Sequence, residues 1–144
     1  MTQAVINHIA FVLDASGSMA QYRDAVIRVF DSQLKTLSKS SVDLDQETRV
    51  SIYTFSYSSH IKNVVYDKDV MRLPSIAKNY SPGGNTALID ATIKAIEDLK
   101  KTATLYGDHA FLVYVLTDGV ENDSRNTAAA LRDECRVRLH RRAR

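Results

Sequence analysis

Two stretches of this chain are continuously apolar, and each stops at an aspartate. The first is Ile9-Ala10-Phe11-Val12-Leu13, closed by Asp14; the second runs from Ala110 to Leu116 and is closed by Thr117-Asp118-Gly119. A strand with one face in water alternates apolar and polar residues. An unbroken apolar run bounded by polar turns reads instead as a strand buried on both faces, the pattern of a parallel sheet lying between helices.

The segments between these runs fit that reading. Val26, Val29, Phe30, Leu34 and Leu37 recur at spacings of three and four, which predicts a helix from about Ala20 to Ser38. Ser40 to Glu47 reads as a polar loop. Val50 to Phe55 reads as a second strand and Ile61 to Tyr66 as a third, joined by a serine-rich hairpin at Ser56–His60. A short helical stretch is expected over Val70 to Lys78. Ser81-Pro82-Gly83-Gly84-Asn85 is the strongest loop signal in the chain. Beyond it, Ile89, Ile93, Ile96, Leu99 and Ala103 share one helical face, and Gly107-Asp108 ends that helix. Ala128, Leu131, Cys135 and Leu139 predict a last amphipathic helix. The order strand, helix, strand, strand, helix, strand, helix predicts a three-layer, doubly wound, Rossmann-like α/β fold. Its sheet is mostly parallel, with one antiparallel edge strand.

Length and composition set the outer limits. The 144 residues suffice for one domain, and 44% apolar with 25% charged residues is ordinary globular usage, which excludes a disordered or fibrous chain. The single cysteine, Cys135, excludes an internal disulfide framework and a cysteine-based zinc site. No apolar run approaches the ~20 residues of a membrane span. The N-terminus lacks a basic start and a small-residue cleavage pattern, so the expectation is a soluble, cytoplasmic protein. The net charge of +2 is unevenly spread: Arg132 to Arg144 holds six arginines against Asp133 and Glu134, and the rest of the chain is slightly acidic. That distribution reads against nucleic-acid binding and suggests a domain over 1–134 followed by an arginine-rich tail over 135–144.

In α/β sheets, ligands bind at the carboxyl ends of the strands. Asp14 and Asp118 both sit at such ends. Ser16 and Ser18 follow Asp14 at alternate positions, and Thr86 opens a helix just after the glycine-rich loop. Two carboxylates and three hydroxyls, without histidine or cysteine, suit a hard cation: Mg²⁺, with Mn²⁺ or Ca²⁺ as alternatives. For Ser16, Ser18 and Thr86 a competing duty is helix N-capping, and for Asp14 and Asp118 loop capping. Asp90 reads as a favourable charge in a first helical turn, and Glu121 and Asp123 as solvated rim residues. His8, His60, His109 and His140 lie in different local settings without ligand spacing.

Asp14-x-Ser16-x-Ser18, then Thr86 within Gly83-Gly84-Asn85-Thr86-Ala87-Leu88, then Thr117-Asp118-Gly119 resemble the metal-ion-dependent adhesion site of the von Willebrand factor A domain family. The resemblance covers about Ile6 to Asn122. It implies that Ser16 and Ser18 bind the ion through their hydroxyls, and Thr86 directly or through water. Asp14 and Asp118 would hold ion-bound waters or coordinate directly, and an Asp or Glu of a protein partner would fill the open position. It implies a binding module without catalysis. The alternatives are a Mg²⁺-dependent phosphoryl-transfer or hydrolase domain, against which stands the absence of a Walker-type loop or nucleophile elbow, and a shortened fragment with impaired binding. The family pattern usually continues with two more strand–helix units, whereas 26 residues follow Asp118 here. The strand before Asp118 is therefore expected at a sheet edge, a surface prone to self-association.

Overall fold

The computed structural model describes residues 5–56, 61–73, 75–80, 82–84, 87–101, 108–117, 124 and 127–132. Strand β1 (Val5–Asp14) leads through a 3₁₀ helix at Gly17–Tyr22 into helix α1 (Arg23–Asp43). Strands β2 (Glu47–Phe55) and β3 (Ile61–Asp69) follow, then short 3₁₀ turns at Val70–Arg72 and Ile76–Asn79. Helix α2 (Leu88–Lys100) and strand β4 (Asp108–Leu116) complete the described core, and residues 128–132 are helical. No described helix is long and apolar enough to cross a membrane.

The sheet order is β3-β2-β1-β4. β1 pairs in parallel with both β2 and β4, and β3 runs antiparallel to β2. The mixed sheet between helices is the α/β arrangement that the apolar runs predict. Alternation along β1 divides its side chains between two cores. Ile9, Phe11 and Leu13 meet Val26, Phe30 and Leu34 of α1 on one face. Ala10 and Val12 meet Ala91, Ala95 and Leu99 of α2 on the other, together with Tyr53 and Phe55. Phe11 and Phe30 pack edge to face at 4.9 Å between centroids. Burying a side chain of that size contributes about 2–3 kcal/mol, so β1 is held in place by packing on both sides. The register sets Asp14 beside Phe55 and Leu13 beside Leu116, so β1, β2 and β4 end at one level.

Three boundaries differ from expectation. Residues 17–22 adopt 3₁₀ rather than α geometry, so α1 begins at Arg23 rather than near Ala20. α1 then runs five residues past Ser38, through part of the segment expected to be loop. Its stripe continues through buried Ser41, whose hydroxyl donates to the carbonyl of Gln46. The helix closes in a Schellman arrangement: Gln46 N–H donates to Ser41 O at 2.9 Å and Asp45 N–H to Val42 O at 3.2 Å. Asp45 takes the left-handed position usual for glycine there (φ 49°), so the familiar stop signal is missing from the sequence. The helical stretch expected over Val70–Lys78 is two short 3₁₀ turns, Val70–Arg72 and Ile76–Asn79, with extended backbone at Leu73 after the first.

Among the described residues β4 forms the sheet edge, as expected, but as an edge strand it is not buried on both faces as its apolar run predicts: Leu112, Tyr114, Val115 and Leu116 are exposed. At its other end it carries an interaction that the spacing of the histidines did not suggest. His8 Nε2 lies 2.8 Å from His109 Nδ1, and the buried His8 ring stacks on Phe111. Among the described residues His8 Nδ1 has no hydrogen-bond partner; it lies 3.6 Å from Asp67 Oδ1, itself bound by Arg49 Nε at 2.9 Å. Burial lowers the His8 pKa below its usual value; the Asp67 carboxylate opposes that shift, and His109 and Arg49 reinforce it. The fold therefore favours neutral His8, while the unfolded chain takes up a proton below pH ~6.5. The stability held by this group is complete above that pH and is lost as the pH falls below it. The melting temperature should drop between pH 7.5 and 5.5, and His8→Leu should flatten that dependence. Equal pH slopes for variant and wild type would remove His8 as its cause.

Candidate metal centre

Asp14 ends β1 where the two cores converge, and it is completely buried. Its carboxylate takes one hydrogen bond on each oxygen. Ser16 N–H donates to Oδ1 at 2.7 Å, and the Thr117 hydroxyl donates to Oδ2 at 2.7 Å. The first bond curls the loop over the end of its own strand; the second ties that loop to the residue after β4. Among the described residues no Lys, Arg or His forms an ion pair with Asp14. A buried carboxylate normally requires a cationic counterpart or a full set of donors. Each oxygen here retains an acceptor position.

Ser16 occupies the N-cap position of the 3₁₀ helix, yet its side chain makes no capping hydrogen bond. Its hydroxyl is instead directed at that of Ser18, with 3.3 Å between the two Oγ atoms. In an octahedron with ~2.0–2.1 Å metal–oxygen distances, neighbouring ligands are about 3.0 Å apart, so the two hydroxyls fit adjacent corners to within a few tenths of an ångström. Ser16 is buried and Ser18 exposed, so the pair faces outward from the protein. Among the described residues no three His, Cys, Asp or Glu side chains gather into a metal-holding group.

The glycine-rich loop is stitched to the Asp14–Ser18 loop by backbone hydrogen bonds in both directions. Gly83 N–H donates to Ala15 O at 2.7 Å, and Gly17 N–H donates to Gly84 O at 2.9 Å. Ala15 N–H extends the β1–β2 ladder to Phe55 O at 2.7 Å, and Ala87 N–H reaches Ser56 O at 2.7 Å. Four segments thus meet at the carboxyl edge of the sheet. Thr86 and Asp118 lie outside the described residues, as do Glu121, Asp123, His60, His140, Cys135 and the arginines from Arg136 onward. Asp90 is buried in the first turn of α2, and its N–H donates to the Ser124 hydroxyl at 2.9 Å.

Two residues that the motif reading passed over shape this centre. Thr117 stands inside the Thr117-Asp118-Gly119 triplet, where its placement beside Asp118 was the available signal. Tyr80 is fully buried, and its hydroxyl donates to the Asp14 carbonyl; nothing in its local sequence marks it. The glycines also differ in what they require. Gly84 has φ 86°, which an L side chain resists, whereas a Cβ on Gly83 would meet no atom within 4 Å. Gly84→Ala should cost about 1 kcal/mol of stability in denaturant unfolding and Gly83→Ala less than about 0.5 kcal/mol. Equal losses would contradict this account of the loop.

Comparison with known proteins agrees with the geometry. The sequence pattern of the von Willebrand factor type A domain matches residues 8–140. Sporozoite surface protein 2 of Plasmodium yoelii yoelii is 34% identical over 137 residues, covering 88% of this chain and 16% of that protein. The solved structure of proximal thread matrix protein 1 from the mussel byssus superposes with a TM-score of 0.52 at 20% identity. It covers 94% of this chain, which spans 34% of that structure and shares its fold. Domains of the matched family are generally adhesion and protein-interaction modules. A sheet with β1 at its centre, a serine-bearing loop over its carboxyl edge and a match over nearly the whole sequence lead to one conclusion: this chain belongs to the von Willebrand factor type A domain family.

Proposed function

We propose that the domain recognises a protein partner through a divalent cation, Mg²⁺ in the first instance, with Mn²⁺ or Ca²⁺ as substitutes. Ser16 and Ser18 bind the ion through their hydroxyls. Thr86 and Asp118 complete the set in the roles that the resemblance implies. Asp14 serves from beneath, as an acceptor for ion-bound water or as a ligand. The observation that carries this reading is the buried Asp14 carboxylate, without an ion-pair partner among the described residues, beneath two serine hydroxyls 3.3 Å apart.

The partner's chemistry follows from the donor set. Neutral hydroxyls quench little of a cation's charge, so the ion attracts an anionic oxygen. An Asp or Glu side chain of another protein supplies one. Access supports this direction: Gly17, Ser18, Gly83 and Gly84 are exposed, and residues 15–18 and 82–84 carry no charge to repel or pre-empt an acidic group. The proposed domain binds and positions; it does not turn over substrate.

The test is a calorimetric titration of chelator-stripped protein with Mg²⁺ and Mn²⁺ beside the Asp14→Ala variant. The reading predicts saturable uptake of one ion, weakened at least about tenfold in a variant that still folds. Unchanged affinity in Asp14→Ala would show that the ion, if bound, sits elsewhere.

A further inference from the structure

We infer that Tyr80 is a positioning residue of this centre, acting through the Asp14 carbonyl; the inference rests on the metal reading above. The peptide unit joining Asp14 to Ala15 is a rigid plane. Its oxygen accepts from the buried Tyr80 hydroxyl, and its N–H donates to Phe55 O at 2.7 Å. Held at both ends, the plane has one orientation. That orientation sets the direction in which the chain leaves β1 and where the Ser16 and Ser18 hydroxyls come to lie. Tyr80 is itself braced from α1: Arg23 Nε donates to Tyr80 O at 3.2 Å and an Arg23 Nη to Ala77 O at 2.9 Å. A line of contacts thus runs from the start of α1, through the 77–80 segment, to the backbone beneath the serines. None of these groups touches the ion; their role is to keep its ligands at the right separation.

An internal control separates positioning from general stability. Tyr53 is also fully buried, and its hydroxyl donates to Asp98 Oδ2 at 2.6 Å, but it belongs to the core on the α2 face. Tyr53→Phe and Tyr80→Phe each remove one buried hydroxyl that donates to an oxygen, so their melting temperatures should fall by similar amounts. Mn²⁺ affinity, measured well below both melts, should weaken about tenfold in Tyr80→Phe and stay at the wild-type value in Tyr53→Phe. Wild-type affinity in Tyr80→Phe, or equal losses in both variants, would overturn the inference. Arg23→Met provides a second reading at a half-exposed position and should weaken Mn²⁺ several-fold; no change there would also count against the bracing role. A wild-type protein that takes up no Mn²⁺ would remove the metal reading itself, and this inference with it.

Discussion

The carboxyl end of β1 depends on one buried group, the side chain of Asp14. It sits at the end of a strand packed on both faces, where a charged group has no access to water. Its two oxygens are nevertheless engaged, one by the loop that follows it and one by the residue that follows β4. Those two bonds draw together segments more than a hundred residues apart in sequence. The loop geometry, the outward facing of the serines and the approach of the glycine-rich segment follow from holding Asp14 there.

The surrounding fold makes that placement possible. β1 lies between two parallel neighbours, and its alternating side chains feed separate cores under α1 and α2. The alanines at Ala10, Ala91 and Ala95 are all fully buried, which lets α2 approach the sheet closely. With β1 fixed from both faces, its last residue has little freedom. The backbone bonds from Ala15, Gly17 and Gly83 then convert a flexible, glycine-rich pair of loops into a defined platform. The rigidity of the site thus derives from the strand, and its chemistry from the loops.

Much of this was legible in the sequence because the signals were local or periodic. Continuous apolar runs identified β1 and β4 as strands, although of the two only β1 is buried on both faces; three- and four-residue spacings identified the helices, and Asp14-x-Ser16-x-Ser18 lay within five consecutive positions. What escaped was either non-local or chemically disguised. His8 meets His109 across 101 residues, and Tyr80 reaches Asp14 across 66; neither pair has a local pattern. The end of α1 was hidden because Asp45 performs a turn that glycine usually marks. The 3₁₀ start of the helix region likewise carries no distinctive composition, since its small polar residues serve the loop as well as the helix.

The central claim is that Ser16 and Ser18 hold a divalent cation above Asp14. Anomalous diffraction from crystals of the protein soaked in Mn²⁺ tests it most directly. The account predicts one strong peak within about 2.3 Å of both serine Oγ atoms, a distance typical of hard cations on oxygen ligands. A well-ordered Asp14–Ser18 loop with no peak beside it, or with Mn²⁺ held only by carboxylates elsewhere on the surface, would contradict it.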